Sequence, residues 1–282
     1  MSLFDVNYNF LKDNPKYDPS IIDKEYDPDQ SSENLQIFHK ILWSKEENDI
    51  KFDFDRALDD DGKYILITHG FKITDTEKIF SSDWIINDYQ HWDRNKCNDL
   101  KYLDNMDAKI LKDFNNITNT IGGRIIFPKR RIDGKHETIN THRYTEKKIR
   151  ERFDITLECI RRFYIGKESI PEFDETLKRY NFFFKLFGKS TEGFKNYCNF
   201  FLLNDLVSSN YEKINFFLDF NDFEINPYPK SEKEYMIFLR KATDFIQRRN
   251  KRIQNFIEKN KSNNPYLNHN EVCSRKILDA NG

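Results

Sequence analysis

Between Gly122 and Tyr164 the chain reads GGRIIFPKRRIDGKHETINTHRYTEKKIRERFDITLECIRRFY. No other stretch sets so many Arg, Lys, Asn and Thr groups beside apolar segments able to hold them. From Lys129 to Arg152 nine Lys and Arg stand against four Asp and Glu, a local surplus of five positive charges in a chain whose net charge is −1. Guanidinium forks match the oxygens of phosphate or carboxylate, often two at a time. Arg131, Lys135 and Arg143 are therefore the candidates to hold phosphate. Thr138 and Asn140 add neutral groups that would orient the rest of the ligand. The competing reading is a solvated basic loop in a lysine-rich chain.

The spacing predicts a helix over 145–164, with Thr145 as its N-cap and no capping box, because Lys148 occupies the third position. Ile149, Phe153, Ile160 and Tyr164 share one side and mark the core. Arg150, Asp154, Glu158 and Arg161 fall in a narrow sector beside them, at i,i+3 and i,i+4 spacing. On an exposed face such a ladder is worth only about 0.3–0.5 kcal/mol per pair. In a partly buried sector Asp154 and Glu158 would instead orient arginines or act as a general base, with Arg150 and Arg161 as further ligand-binding groups.

Other chemistry is less well supported. His136 and His142 are six apart in a loop, not at the i,i+4 spacing of a helical metal pair, so no metal site is expected. Arg131 to His136 matches an R-x4-H pattern used by helical ribonucleases, but Asp133 and Gly134 make a turn there. Gly122–Gly123 alone does not define a phosphate cradle, and GxSxG, Walker A and GxGxxG are absent. Phe182, Phe183, Phe184, Phe187, Phe200 and Phe201 read as core rather than as base-stacking surfaces. Phe216, Phe217 and Phe220 with Asp219 and Asp222 border either a cleft or a turn beside the core, the turn being the stronger reading. No motif names a cofactor, and nothing decides whether the chain is an enzyme.

These groups need a scaffold, and the pattern supplies one. Helices are predicted over 34–45, 172–187, 193–207 and 231–259, residues 107–123 start helical and end at glycine, and strands are predicted over 50–55, 63–69, 79–86 and 124–127. Residues 210–223 read as a short helix or strand running into an Asp-rich turn. The expected fold class is α+β: a small mixed sheet in the first half packed on a predominantly helical second half. Residues 1–34, with three prolines, read as an extended arm, 35–259 as one domain and 260–282 as a flexible tail.

Composition sets the outer bounds. Hydrophobic residues are only 38% of the 282, but 26 Phe and 14 Tyr bury large areas each, so a core is affordable. The 46 basic and 47 acidic residues balance, which argues against a generic polyanion binder while leaving local patches. Four scattered cysteines (Cys97, Cys159, Cys198, Cys273) form neither a disulfide framework nor a zinc knuckle. No stretch reaches the roughly 20 apolar residues of a membrane span, and the N-terminus lacks a signal peptide, so the expected location is the cytoplasm.

HKILWSK (39–45), SSDW (81–84), GGRIIFP (122–128), TIN-x-x-R (138–143), RFDITLECIRRFY (152–164), RYNFFFKLFG (179–188), FFLLNDLV (200–207), FFLDFNDF (216–223) and FIQRRNKRI (245–253) resemble, over roughly residues 35–255, an uncharacterised family of bacterial and phage proteins. The resemblance implies a soluble cytoplasmic protein of bacterial or phage origin and carries no established activity. Where that family tends to place glycines after the proline and after the TIN-run arginine, this chain has Lys129 and Tyr144.

Two functions remain open. One is binding, with or without processing, of a nucleotide or nucleic-acid phosphate at the 129–162 block. The other is a non-catalytic interaction module, in a phage, defence or toxin–antitoxin setting, using the N-terminal arm to reach a protein partner or a second copy.

Overall fold

The computed structural model describes residues 4–13, 28, 32–47, 50–52, 54–58, 64–68, 79–86, 89, 98–129 and 138–260. The chain is α+β. Helix α1 (Glu33–Trp43) begins where the Ser32 hydroxyl accepts from Leu35 N–H at 3.0 Å, and it buries Leu35, Phe38, Ile41, Leu42 and Trp43. Strands β1 (Lys45–Glu47) and β2 (Ile50–Phe52) form a two-stranded antiparallel sheet. Strands β3 (Phe54–Leu58), β4 (Tyr64–Thr68), β5 (Ile79–Trp84) and β6 (Arg124–Lys129) form a four-stranded antiparallel sheet in chain order. The predicted 50–55 strand is thus divided between two sheets.

Between β5 and β6 the chain makes a 3-10 turn (Asn98–Asn105) and helix α2 (Ala108–Thr118), capped by Asp107. Residues 121–123 then close a second 3-10 turn onto the sheet. The glycine pair there is steric. A Cβ on Gly122 would lie 2.6 Å from Ile246 O, and one on Gly123 only 2.0 Å from Thr118 O. In β6, Ile125, Ile126 and Phe127 are all fully buried, so the strand is covered on both faces and reads as an unbroken apolar run.

The second half is helical: α3 (Ile139–Thr145), α4 (Phe153–Ile165), α5 (Pro171–Arg179), the single turn α6 (Asn181–Phe184), α7 (Ser190–Phe200) and α8 (Glu232–Asn260). Two differences from the sequence expectation matter. The TIN run is a short helix, not a loop, because Thr138 caps it by accepting from Thr141 N–H at 2.9 Å. Helix α4 starts at Phe153 rather than near Thr145, because Arg150 and Glu151 turn to φ of 43° and 65° and break the spiral. Residues 208–230 form neither the expected helix nor a named strand, beyond one bridge between Val207 and Ile214.

Phenylalanine dominates the core. Phe52, Phe183, Phe187, Phe200 and Phe201 cluster with Trp43 and Tyr197 at centroid distances of 4.5–6.4 Å. Residues 4–13, placed by sequence in the arm, join this core: Phe10 is 1% exposed and meets Phe38 at 5.7 Å.

Candidate functional site

Among the described residues, most of the buried charge converges on the N-terminal half of α4 and the turn before it. Arg152 flanks the helix and Asp154 sits in its first turn, where a carboxylate complements the helix dipole. The Arg152 guanidinium pairs with both Asp154 oxygens, Nε to Oδ1 at 3.0 Å, and donates to Pro227 O at 3.1 Å and Leu218 O at 3.3 Å. Burial works against the Arg152 cation, but Asp154 outweighs it and leaves the guanidinium pKa above its ordinary value. Asp154 also accepts the Phe217 N–H at 2.8 Å. One turn on, Glu158 accepts from Arg161 at 2.8 Å and from Arg162 at 2.7 Å, and Arg162 reaches Asp222. The irregular 216–228 segment is therefore held to α4 by side-chain bonds to its backbone and by the Arg162–Asp222 ion pair rather than by a backbone ladder.

Arg143, on α3, is fully buried. It donates to Asp83 Oδ2 and Trp84 O at 2.9 Å, to Ile85 O and Glu151 O at 3.1 Å, and to Thr156 Oγ1 at 3.4 Å. The sequence reading gave these donors to a phosphate. Its donors face the interior and are occupied by the fold itself. Asp154 and Glu158 are likewise spent on Arg152, Arg161 and Arg162. Thr138 is a helix cap, and Asn140 is half-buried beside it on α3. Arg150 does not continue the charged sector, since it lies in the turn before the helix; its guanidinium sits 6.0 Å over the Tyr228 ring. Arg131 and Lys135 lie outside the described residues.

A cleft of about 200 Å³ opens over this braced segment. Arg152 reaches it from the α4 side, Phe217, Leu218 and Asp219 from one limb of the loop, Ile225 to Tyr228 from the other, and Lys230, Glu234, Ile237 and Lys241 from the start of α8. Among the described residues of the 129–162 block, only Arg152 lines it. Asp219, Asn226, Lys230 and Lys241 are exposed, while Phe217, Pro227 and Tyr228 are buried. Lys241 Nζ donates to Phe216 O at 3.2 Å, and Glu234 accepts the Lys230 N–H at 2.8 Å. Tyr89 packs on Tyr228 at 5.6 Å and donates its hydroxyl to Arg150 O at 3.1 Å.

Strain concentrates here. Eight non-glycine described residues have positive φ; Arg150 and Glu151 are in the turn before α4, Asp222 and Phe223 in the 216–228 loop, and Tyr89 packs on that loop's Tyr228, though none of the five lines the cleft itself. Such conformations cost about 1–3 kcal/mol each and persist where surroundings over-determine them, commonly at ligand sites. The sequence signal for this region was the Phe/Asp run at 216–223. Tyr228, Lys230 and Lys241 carried no separate signal, because a cleft between two distant segments has no local period. Among the described residues no group of three His, Cys, Asp or Glu side chains is placed to hold a metal ion, and no helix is long and apolar enough to cross a membrane.

The chain belongs to a family of unknown function, DUF6994, which matches residues 4–253. No curated protein and no solved structure matches it.

Proposed function

We propose that the protein binds a phosphate-bearing small molecule, a nucleotide, in the cleft between the 216–228 loop and the start of α8. The observation that carries this is the pairing of aromatic and apolar walls (Phe217, Ile225, Pro227, Tyr228, Ile237) with two exposed lysines, Lys230 and Lys241. A base would lie against the walls, Asp219 and Asn226 would meet hydroxyl or amino groups, and the lysines would face phosphate. The volume is below the ~300–1,000 Å³ of sites that enclose drug-sized ligands. The cleft therefore admits one part of a nucleotide, with the phosphates over the lysine rim. Of the buried arginines Arg152 lines the cleft, and its guanidinium is engaged by Asp154 and the carbonyls of Pro227 and Leu218. The motif resemblance supports a bacterial or phage cytoplasmic setting for this role.

Titration calorimetry of the full chain with AMP, ATP and GTP tests the reading. Lys230→Ala/Lys241→Ala is expected to weaken binding by about tenfold or more per lost charged hydrogen bond while leaving the melting temperature within a degree or two. No heat with any nucleotide at millimolar concentration, or equal affinity in the double variant, would overturn it.

A further inference from the structure

We propose that Asp83 and Glu151 form a proton-binding pair across the Arg143 guanidinium, and that its charge governs the 150–151 turn that places Arg152 beneath the cleft. The coupling to the cleft rests on the reading given above; the proton-binding pair does not.

The argument starts from charge counting. Arg143 Nη1 lies 2.9 Å from Asp83 Oδ2 and 3.7 Å from Glu151 Oε2. Two carboxylates thus share one cation inside the fold, and a second buried negative charge without its own partner is costly. The cheaper arrangement keeps one proton on the pair, as in paired carboxylates generally. Burial raises the Asp83 carboxyl as well, against the pull of Arg143, but its side chain is 20% exposed and takes the short bond, so Asp83 is the member that ionises first. Glu151, 6% exposed and farther from the guanidinium, holds the proton.

The other groups that face the pair do not alter this count. Arg124 on β6 acts on Asp83, and Tyr89 lies within reach of Glu151, Arg152 and Asp154. Burial first, then the charge of Asp83, push the Glu151 carboxyl up to about 8 against the opposing pull of Arg143. Because this folded value exceeds the ordinary 4.5, the stabilisation is complete below the unfolded value and is lost as pH rises through about 8.

The pair is wired to the turn by backbone as well as side chain. Arg143 Nη2 donates to Glu151 O at 3.1 Å, and Glu151 N–H donates back to Arg143 O at 3.2 Å. A second negative charge on Glu151 draws on the same guanidinium that holds this strained turn, and the next residue is the cleft's Arg152.

The test uses the full chain without ligand. Melting temperature from pH 5 to 9.5 should fall steadily up to about pH 8 and level off above it in the wild type, and the fall should vanish in Glu151→Gln and shrink in Asp83→Asn. Parallel profiles for wild type and Glu151→Gln would overturn the proposal. Should Glu151→Gln fail to fold, carbon-detected NMR titration of the Glu151 carboxyl in the wild type decides, and an ordinary carboxylate midpoint sinks the idea. The Arg152 Nε and Phe217 amide signals should shift with the same midpoint; if they stay still while Glu151 titrates, the link to the cleft is wrong. None of these readings depends on whether a nucleotide binds.

Discussion

Arg143, Arg152 and Arg249 are each at most 1% exposed, and each directs its guanidinium at main-chain carbonyls. A planar fork with five donors can satisfy several carbonyls that an irregular chain leaves without a ladder partner, which a lysine ammonium cannot do in one plane. Arg143 bears the sharpest consequence. Replacing it by alanine strands Asp83 and Glu151 together and frees the carbonyls of Trp84, Ile85 and Glu151. Removing one side of a buried ion pair costs about 3–5 kcal/mol, so Arg143→Ala is expected to lower unfolding free energy by that order in urea denaturation, and Arg143→Lys to recover only part of it. An Arg143→Ala protein as stable as the wild type but unable to bind nucleotide would return the phosphate site to this residue.

At the scale of elements, the seam between α3 and α4 shows what a sequence pattern can and cannot carry. Ile149, Phe153 and Ile160 do fall on the core side, and α4 was legible from them. The break at Arg150–Glu151 was not, because neither residue is a glycine and the positive φ is imposed by the Arg143 bonds, a tertiary cause with no local mark. The strands β4 and β6 were equally legible from their unbroken apolar runs, and α8 from its periodic stripe. The loop over α4 was not, since its order comes from Arg152, Asp154 and Arg162 rather than from its own sequence. The glycine pair before β6 gives a test at this scale. Gly123→Ala would drive a methyl into the Thr118 carbonyl at 2.0 Å, so the 118–123 connection must shift. Overpacking of this kind costs about 1–3 kcal/mol, and a melting temperature unchanged in Gly123→Ala would show that the close approach is not required.

Across the whole molecule, the sheet, the helical half and the long C-terminal helix meet at Arg249. Its guanidinium donates to Gly122 O at 2.8 Å, to Arg124 O at 2.6 Å, and to Phe201 O at 2.9 Å and 3.2 Å, so it joins α8 to the start of β6 and to the C-terminus of α7. No carboxylate among the described residues pairs with it; the carbonyl end of α7 carries the partial negative charge that does. The neighbouring Asn250 continues the junction, accepting Gly122 N–H at 2.6 Å and donating to Thr120 Oγ1 at 2.8 Å. The prediction separates this junction from the basic surface of the same helix. Arg249→Met keeps the length and apolar stem but leaves three buried carbonyls unsatisfied, at about 1–3 kcal/mol each. Its unfolding free energy should drop by several kcal/mol, with the cleft lost only as the whole domain loosens. Arg248→Ala, one residue away and exposed, should stay within about 0.5 kcal/mol of wild type. Equal stability of the two variants in urea would mean that the two halves are held by the aromatic core alone, with Arg249 a tolerated passenger inside it.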